Sequence, residues 1–240
     1  MTEQKTIAIF GAGTGLGASV AARFGREGYK VALVARGASG LDRLKRKLAE
    51  QGIEAFSFPA DLTDLANIPS LVQAIEAQLG SIDAALFSPI SSTAYFVPAV
   101  DLEANYLQSI SPLLTWAPIE LARALMPGMR SRGDGAFIVA DGLSAVFPMA
   151  GMSGPGPAFA ATRNYIMTLH AEVQPDGVFA GMLHVGAMIE NSAGMAAALA
   201  TGMKLDPSFP VVAPGILADE VWNLATKRER NEAILPPLPH

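Results

Sequence analysis

Apolar residues along this chain gather into two kinds of segment that alternate. Short, continuous apolar bursts fall at Thr6–Phe10, Lys30–Ala35, 55–58, 84–87, 136–140 and 178–184, each of strand length. Between them, 15–27, 41–51, 67–79, 114–130 and 158–173 return an apolar residue every three or four positions, which lines one face of a helix. Strands that alternate with helices are joined by parallel crossovers. The pattern therefore predicts an α/β fold with a doubly wound, mainly parallel sheet and helices on both faces. Such strands have no solvated side, which explains why they read as unbroken apolar runs. No repeat or compositional break divides the chain, so one domain over residues 1–240 is expected.

Three stretches break the rhythm: 88–106, 142–157 and 186–214. The first two follow the ends of strands, and the third follows the last strong apolar burst. Ligands of open α/β sheets lie beyond the carboxyl ends of the strands, so these segments are the expected walls of a site and 186–214 its expected substrate loop or lid. Val146, Phe147, Met149 and Met152, with Met188, Met195 and Met203, suggest an apolar, adaptable pocket.

Directly after the first strand comes Gly11-Ala12-Gly13-Thr14-Gly15-Leu16-Gly17, which runs into the first helix. Glycines there let the backbone turn sharply and approach a pyrophosphate, whose charge is met by free amide groups at the helix start. Gly11, Gly13, Thr14, Gly15, Leu16 and Gly17 are thus candidate dinucleotide contacts. A preference for NAD would place a carboxylate at the end of the second strand, about 20 residues beyond the glycines. That place holds Ala35-Arg36. A guanidinium can grip a 2′-phosphate with two hydrogen bonds, so the predicted cofactor is NADP(H), with Ser39 and Arg43 extending the pocket.

Composition narrows the remaining choices. The 17 basic residues against 22 acidic ones give a net charge of -5, without the cationic excess that a nucleic-acid binder uses. There is no cysteine, which removes disulfides, thiolate metal sites and cysteine nucleophiles. Three scattered histidines offer no metal-ligand cluster, so no metal is expected. The N-terminus lacks the features of a signal peptide, and the longest charge-free apolar run, 192–203, is too short to span a bilayer. A cytoplasmic protein without membrane contact is the expectation.

With Gly11, Gly15 and Gly17, the strand ending at Arg36, and Asp61-Leu62 after the third strand, the chain resembles the short-chain dehydrogenase/reductase family over nearly its whole length. The resemblance implies a Rossmann-type fold, an adenine contact from Asp61, a ring contact from Leu62, and a small carbonyl or alcohol substrate. It also implies a homodimer or homotetramer built through the helices at 114–130 and 158–173. The family's active site carries Tyr-x-x-x-Lys on a helix, a serine before it and an asparagine further upstream. Here Phe159 takes the tyrosine place, Arg163 the lysine place and Leu114 the asparagine place. The serine place falls within Asp141-Gly142-Leu143-Ser144, where a shift of two decides between Gly142 and Ser144, with Ser144 favoured. Ser88, Gly186 and the backbone near Met188 are matched to the nicotinamide end of the pocket.

Phenylalanine transfers no proton, whereas arginine can still bind ribose hydroxyls. Phe159 and Arg163, four apart on a helix, are expected to point together at the cofactor. Asp141, at a strand's carboxyl end, is the best placed substitute acid if its pKa is raised; Ser144, Tyr95 and Tyr106 are others, while Tyr165 and His184 read as core. Three functions stay open: an oxidoreductase acting without the tyrosine, a catalytically silent dinucleotide-binding sensor or partner, and a non-redox cyclase or lyase reusing the pocket.

Overall fold

The computed structural model describes residues 4–89, 94–200 and 209–237. In chain order its elements are β1 (Thr6–Phe10), α1 (Leu16–Arg26), β2 (Lys30–Ala35), α2 (Ala38–Ala49), β3 (Ala55–Pro59), α3 (Ile68–Leu79), β4 (Ile82–Phe87), α4 (Ala104–Ser111), α5 (Ala117–Arg132), β5 (Gly135–Gly142), α6 (Pro155–Val173), β6 (Val178–Val185), β7 (Met188–Ile189), α7 (Ala193–Ala200), β8 (Val211–Val212), α8 (Pro214–Lys227) and β9 (Glu232–Leu235). Seven strands form one parallel sheet in the order β3-β2-β1-β4-β5-β6-β9, and β7 pairs with β8 in a separate two-stranded piece. The chain winds outward from β1 in one direction as far as β3. It then returns past β1 to build β4, β5, β6 and β9 on the other side. The carboxyl ends of β1 and β4 therefore flank the point where the winding reverses, the place where such sheets open a crevice.

Side chains alternate across the sheet, and each face is covered. One core layer joins Ala8, Ala85, Phe137, Val139 and Met182 to α3, α5 and α6; the other joins Ile7, Ile9, Ile138 and Leu183 to α1, α2 and α8. The six strands and five helices expected from the apolar pattern are all present. Two expectations shift in detail. The helix expected over 114–130 is a longer helical run, in which α4 passes through a π-helical turn at Pro112–Trp116 into α5. Pro112 has no amide hydrogen and cannot continue the ordinary i to i−4 ladder. Beyond 184, β9 and α8 complete the sheet and its covering layer, and neither was legible in the pattern. No helix among the described residues is long and apolar enough to cross a membrane.

The α1 and α8 helices pack through aromatic contacts. Phe24 is fully buried and meets Tyr29 and Trp222 edge-on, with ring centroids 5.2 and 4.9 Å apart, while Arg23 lies 4.5 Å over the Trp222 ring. Phe24→Ala should lower unfolding free energy by about 3–5 kcal/mol, because the emptied volume is walled by rigid elements. Urea titration followed by circular dichroism measures this, and an unchanged midpoint contradicts the packing role.

Candidate functional site

The glycine turn between β1 and α1 sits at the reversal point. Gly11 has φ +105°, a conformation open to glycine, and a Cβ there would lie 2.5 Å from the backbone nitrogen of Pro89. A Cβ on Gly17 would come within 2.7 Å of the Gly11 carbonyl oxygen, so α1 can start this close to the turn only without a side chain. Gly13 differs: a Cβ there would meet nothing nearer than 4.0 Å. The amides of Gly11 and Ala12 donate to the Val34 carbonyl at 3.0 and 2.9 Å, which pins the turn to β2. At its start α1 has no side-chain cap and no acidic residue in its first turn. The Ala18 amide donates to the Gly13 carbonyl at 3.0 Å, and no side-chain charge offsets the positive end of the helix dipole beside Gly13.

A second segment reaches the turn from the far side of the chain. The Thr14 hydroxyl donates to the Asn191 carbonyl at 3.0 Å, and Ser192 packs on Gly15 so tightly that a Cβ on Gly15 would lie 2.8 Å from that of Ser192. Ser192 also caps α7, accepting the Met195 amide at 3.0 Å. Segment 186–192 is further tied to 210–212 through the amides of Met188 and Glu190. The Met188 amide, expected to line the nicotinamide end, is therefore spent on Pro210, because β7 and β8 pair there. Gly186 donates to the Leu235 carbonyl and stands against Leu143.

Arg36 and Ser39 are exposed at the end of β2 and the start of α2. Asp61 lies within electrostatic reach of Arg36. Its Oδ1 accepts the Thr63 amide and hydroxyl at 2.9 and 2.7 Å, and these bonds, followed by the Arg36 charge, hold its carboxyl below the usual range. Leu62, matched to a ring contact, is buried and packs with the α3 side of the core.

The most unusual feature sits on the α6 side of the sheet, at the ends of three adjacent strands. Period-two alternation puts Asp141 of β5, His184 of β6 and Glu232 of β9 on one face, where Phe137, Val139, Ala180 and Met182 of the same strands are core. His184 Nδ1 is 2.5 Å from Asp141 Oδ1, and its Nε2 is 2.7 Å from Glu232 Oε1. Arg163 of α6 closes the chain with a two-point grip on the Glu232 carboxylate. The Asp141 and His184 side chains are 2% and 0% exposed, and exposure rises to 25% at Glu232 and 37% at Arg163. Burial, only partly offset by the His184 bond, pushes the Asp141 carboxyl up to about 6. Burial also works against the His184 charge, but the carboxylates on both sides outweigh it and raise its pKa. The Arg163 bond holds Glu232 down. The cluster thus links two carboxyl groups, an imidazole and a guanidinium in one hydrogen-bonded chain.

This geometry corrects one expectation. Arg163 does not extend toward the reversal point beside Phe159; it is held by Glu232 on the outermost strand. That strand lies four strands from β1, roughly 19 Å at about 4.8 Å per strand. Phe159 itself stands against the end of β5, where a Cβ on Gly142 would be 3.2 Å from its ring. Thr115 and Thr162 fix this part of α6 to the π-helical turn, through bonds to the carbonyls of Ala158 and Leu114. Ser144 lies beside Gly142 and Gly156, so both candidates for the serine place adjoin Phe159. The hydroxyl of Ser144, that of Ser88 and Oδ2 of Asp141 are buried and find no partner among the described residues. Tyr106 is committed to packing, its hydroxyl bonded to the Tyr95 amide and carbonyl at 2.8 and 3.0 Å. Met203 lies outside the described residues. Glu232 was missed in the sequence, and His184, read as a satisfied core residue, is satisfied by charges.

Comparison with known proteins agrees with this fold. The family model for short chain dehydrogenases matches residues 5–199. A fatty acyl-CoA reductase of Mycobacterium tuberculosis is 35% identical over 135 residues, covering 56% of this chain and 46% of that enzyme. The chain thus spans about half the length of that relative. Among solved structures, L-sorbose reductase from Gluconobacter frateurii, in complex with NADPH and L-sorbose, superimposes with a TM-score of 0.83 at 24% identity, covering 98% of each chain. A short-chain oxidoreductase from Pseudomonas aeruginosa described as having an atypical catalytic centre gives 0.83 at 18% identity, covering 96% of this chain and 94% of that one.

The ion cluster sets a pH signature. Asp141 has a folded-state pKa above its ordinary 3.8, so the stability it contributes is full below that value and is lost as pH rises through about 6. The stability difference between wild type and Asp141→Asn should therefore fall between pH 4 and 6, by up to about 3 kcal/mol at 1.36 kcal/mol per pKa unit. Paired urea titrations across that range measure it, and parallel curves rule out the buried carboxyl.

Proposed function

The chain belongs to the short-chain dehydrogenase family, and on that premise we propose that it is an NADP(H)-dependent oxidoreductase acting on a carbonyl or alcohol without a phenolic acid. One observation carries the reading: an uncapped helix start behind the open face of Gly13, with Arg36 exposed at the end of the neighbouring strand. The residues fit the cofactor. Amides of the turn at Thr14 and Gly15 and of the α1 start at Leu16 and Gly17 would hold the pyrophosphate, with Gly11 and Gly13, whose amide is bonded to the Gly11 carbonyl at 2.8 Å, shaping the turn. Arg36 and Ser39 would hold the 2′-phosphate, and Asp61, whose Oδ2 is unbonded, would accept the adenine amino group. The crystallised complex of L-sorbose reductase with NADPH supports this choice.

When bound, the cofactor supplies or accepts the hydride. The protein's share is orientation and the proton. Ser88 and Ser144, whose buried hydroxyls have no partner among the described residues, would donate to the substrate oxygen. Phe159 would wall that oxygen from water. Asp141 would give or take the proton through Oδ2, since its carboxyl titrates near neutrality and its other oxygen is anchored by His184. Arg163 would act one step back, by fixing Glu232. Residues 186–214 would close the site within a single domain, and pairing through α5 and α6 would give a homodimer or homotetramer.

A second reading, a silent NADP(H)-binding sensor, is favoured by one observation: Phe159 carries no hydroxyl and Arg163 is engaged elsewhere.

NADPH oxidation followed by absorbance over a panel of aldehydes and ketones tests both readings. Turnover should drop at least a hundredfold in Asp141→Asn with NADPH affinity unchanged. Tight NADPH binding with no turnover on any carbonyl selects the silent reading. In a separate titration, Arg36→Asp should weaken NADPH binding at least tenfold and leave NADH binding equal or better. An unchanged preference removes the 2′-phosphate assignment.

A further inference from the structure

The three segments that leave the carboxyl ends of β4, β5 and β6 share a composition that the oxidoreductase reading does not use. Residues 88–100, 142–158 and 191–200 contain no charged side chain, in a chain in which 16% of residues are charged. Their large apolar groups are on the surface: Tyr95, Phe96 and Val100 on the first, Phe147 and Met149 on the second, and Leu199 on the third. Phe209, Val211 and Ile216, where the third segment returns to α8, are also exposed. The α7 helix, Ala-Gly-Met-Ala-Ala-Ala-Leu-Ala, is apolar all round, yet none of its residues is buried. A helix of that composition belongs in apolar surroundings, and exposed apolar patches of this kind mark binding sites.

These groups are fastened to the candidate site. The Ser153 amide donates to the Val97 carbonyl at 3.0 Å, and Gly154 is pressed against the Tyr95 carbonyl, which joins the first two segments. The second segment carries Ser144 and leads to Phe159. The third is seated on the glycine turn through Ser192 and Asn191. The first two segments are thus joined to each other beside Phe159, and the third is joined to the glycine turn, so all three border the candidate site.

We propose that these segments form an apolar rim that receives an extended alkyl chain of the substrate, so that the site acts on long-chain aldehydes or alcohols in preference to short ones. The inference rests on the oxidoreductase reading and names its substrate class. Neither a formal charge nor a headgroup contact is needed from the rim. The chain lies along α7, whose eight residues span about 12 Å at 1.5 Å per residue. Each methylene withdrawn from water adds to affinity, by a factor of about four when fully buried.

NADPH oxidation with butanal, octanal and dodecanal reads the inference directly. kcat/KM should rise at least tenfold from butanal to octanal, and Leu199→Ser or Phe96→Ser should flatten that rise while leaving NADPH affinity unchanged. Equal rates for all three aldehydes overturn it. If no aldehyde is turned over, the oxidoreductase reading fails, and calorimetry on the NADPH-saturated protein decides the rim separately. There, 1-decanol should bind at least tenfold more tightly than 1-butanol, with a negative heat-capacity change that Leu199→Ser reduces. Equal affinities overturn the inference. So does a change of oligomeric state in these variants, by size exclusion, with the chain-length dependence intact, because the rim is then a contact between subunits.

Discussion

A parallel sheet covered on both faces gives its strands no solvated side, and most of what is distinctive in this molecule follows from that constraint. The ionisable groups of the inner strands β5 and β6 stand near strand ends, with Asp141 and His184 each one residue before the end of its strand. The same placement gathers the glycine turn, Ser88 and the segments after β5 and β6 along one edge. Chemistry is placed there by topology, before any individual side chain is considered.

The ion cluster shows how such an edge tolerates charge. A buried carboxylate or imidazolium alone costs several kcal/mol, and pairing offsets the cost only when every strong hydrogen-bonding position is used. Here both imidazole nitrogens are bonded and Glu232 is gripped from two sides. The burial gradient lets the charge end on Arg163, where water shares the solvation. One position, Asp141 Oδ2, is left over. An unsatisfied oxygen in an otherwise complete network is the least stable point of that network, and it is the point from which protonation can begin.

Sequence reasoning located the frame and the glycine turn because both are local. Glycines at 11, 13, 15 and 17 after an apolar strand carry their meaning within a few residues, and so does a four-residue helical spacing. It could not locate the ion cluster. Glu232 lies 48 positions beyond His184, on an edge strand of four residues whose composition, Glu-Ala-Ile-Leu, gives no strand period long enough to recognise. Arg163 was placed correctly on its helix, but its direction depends on Glu232, so the expected cofactor contact gave way to an ion pair. The Met188 amide and Leu62 are likewise set by tertiary contacts: the first by pairing of β7 with β8, the second by the core under α3. Local spacing tells which face a residue occupies, and long-range partners decide what it does there.

Ser192 resting on Gly15, with Thr14 bonded to Asn191, joins two regions 177 residues apart in the chain. The pyrophosphate turn and the segment that leads into α7 thereby share one contact surface. Any free energy that an occupant of the turn exchanges with that segment must reappear, equal in size, as a change in the occupant's own affinity when the segment is perturbed. Substitutions at Asn191 and Ser192 are thus a thermodynamic handle on the glycine turn, although neither residue belongs to it.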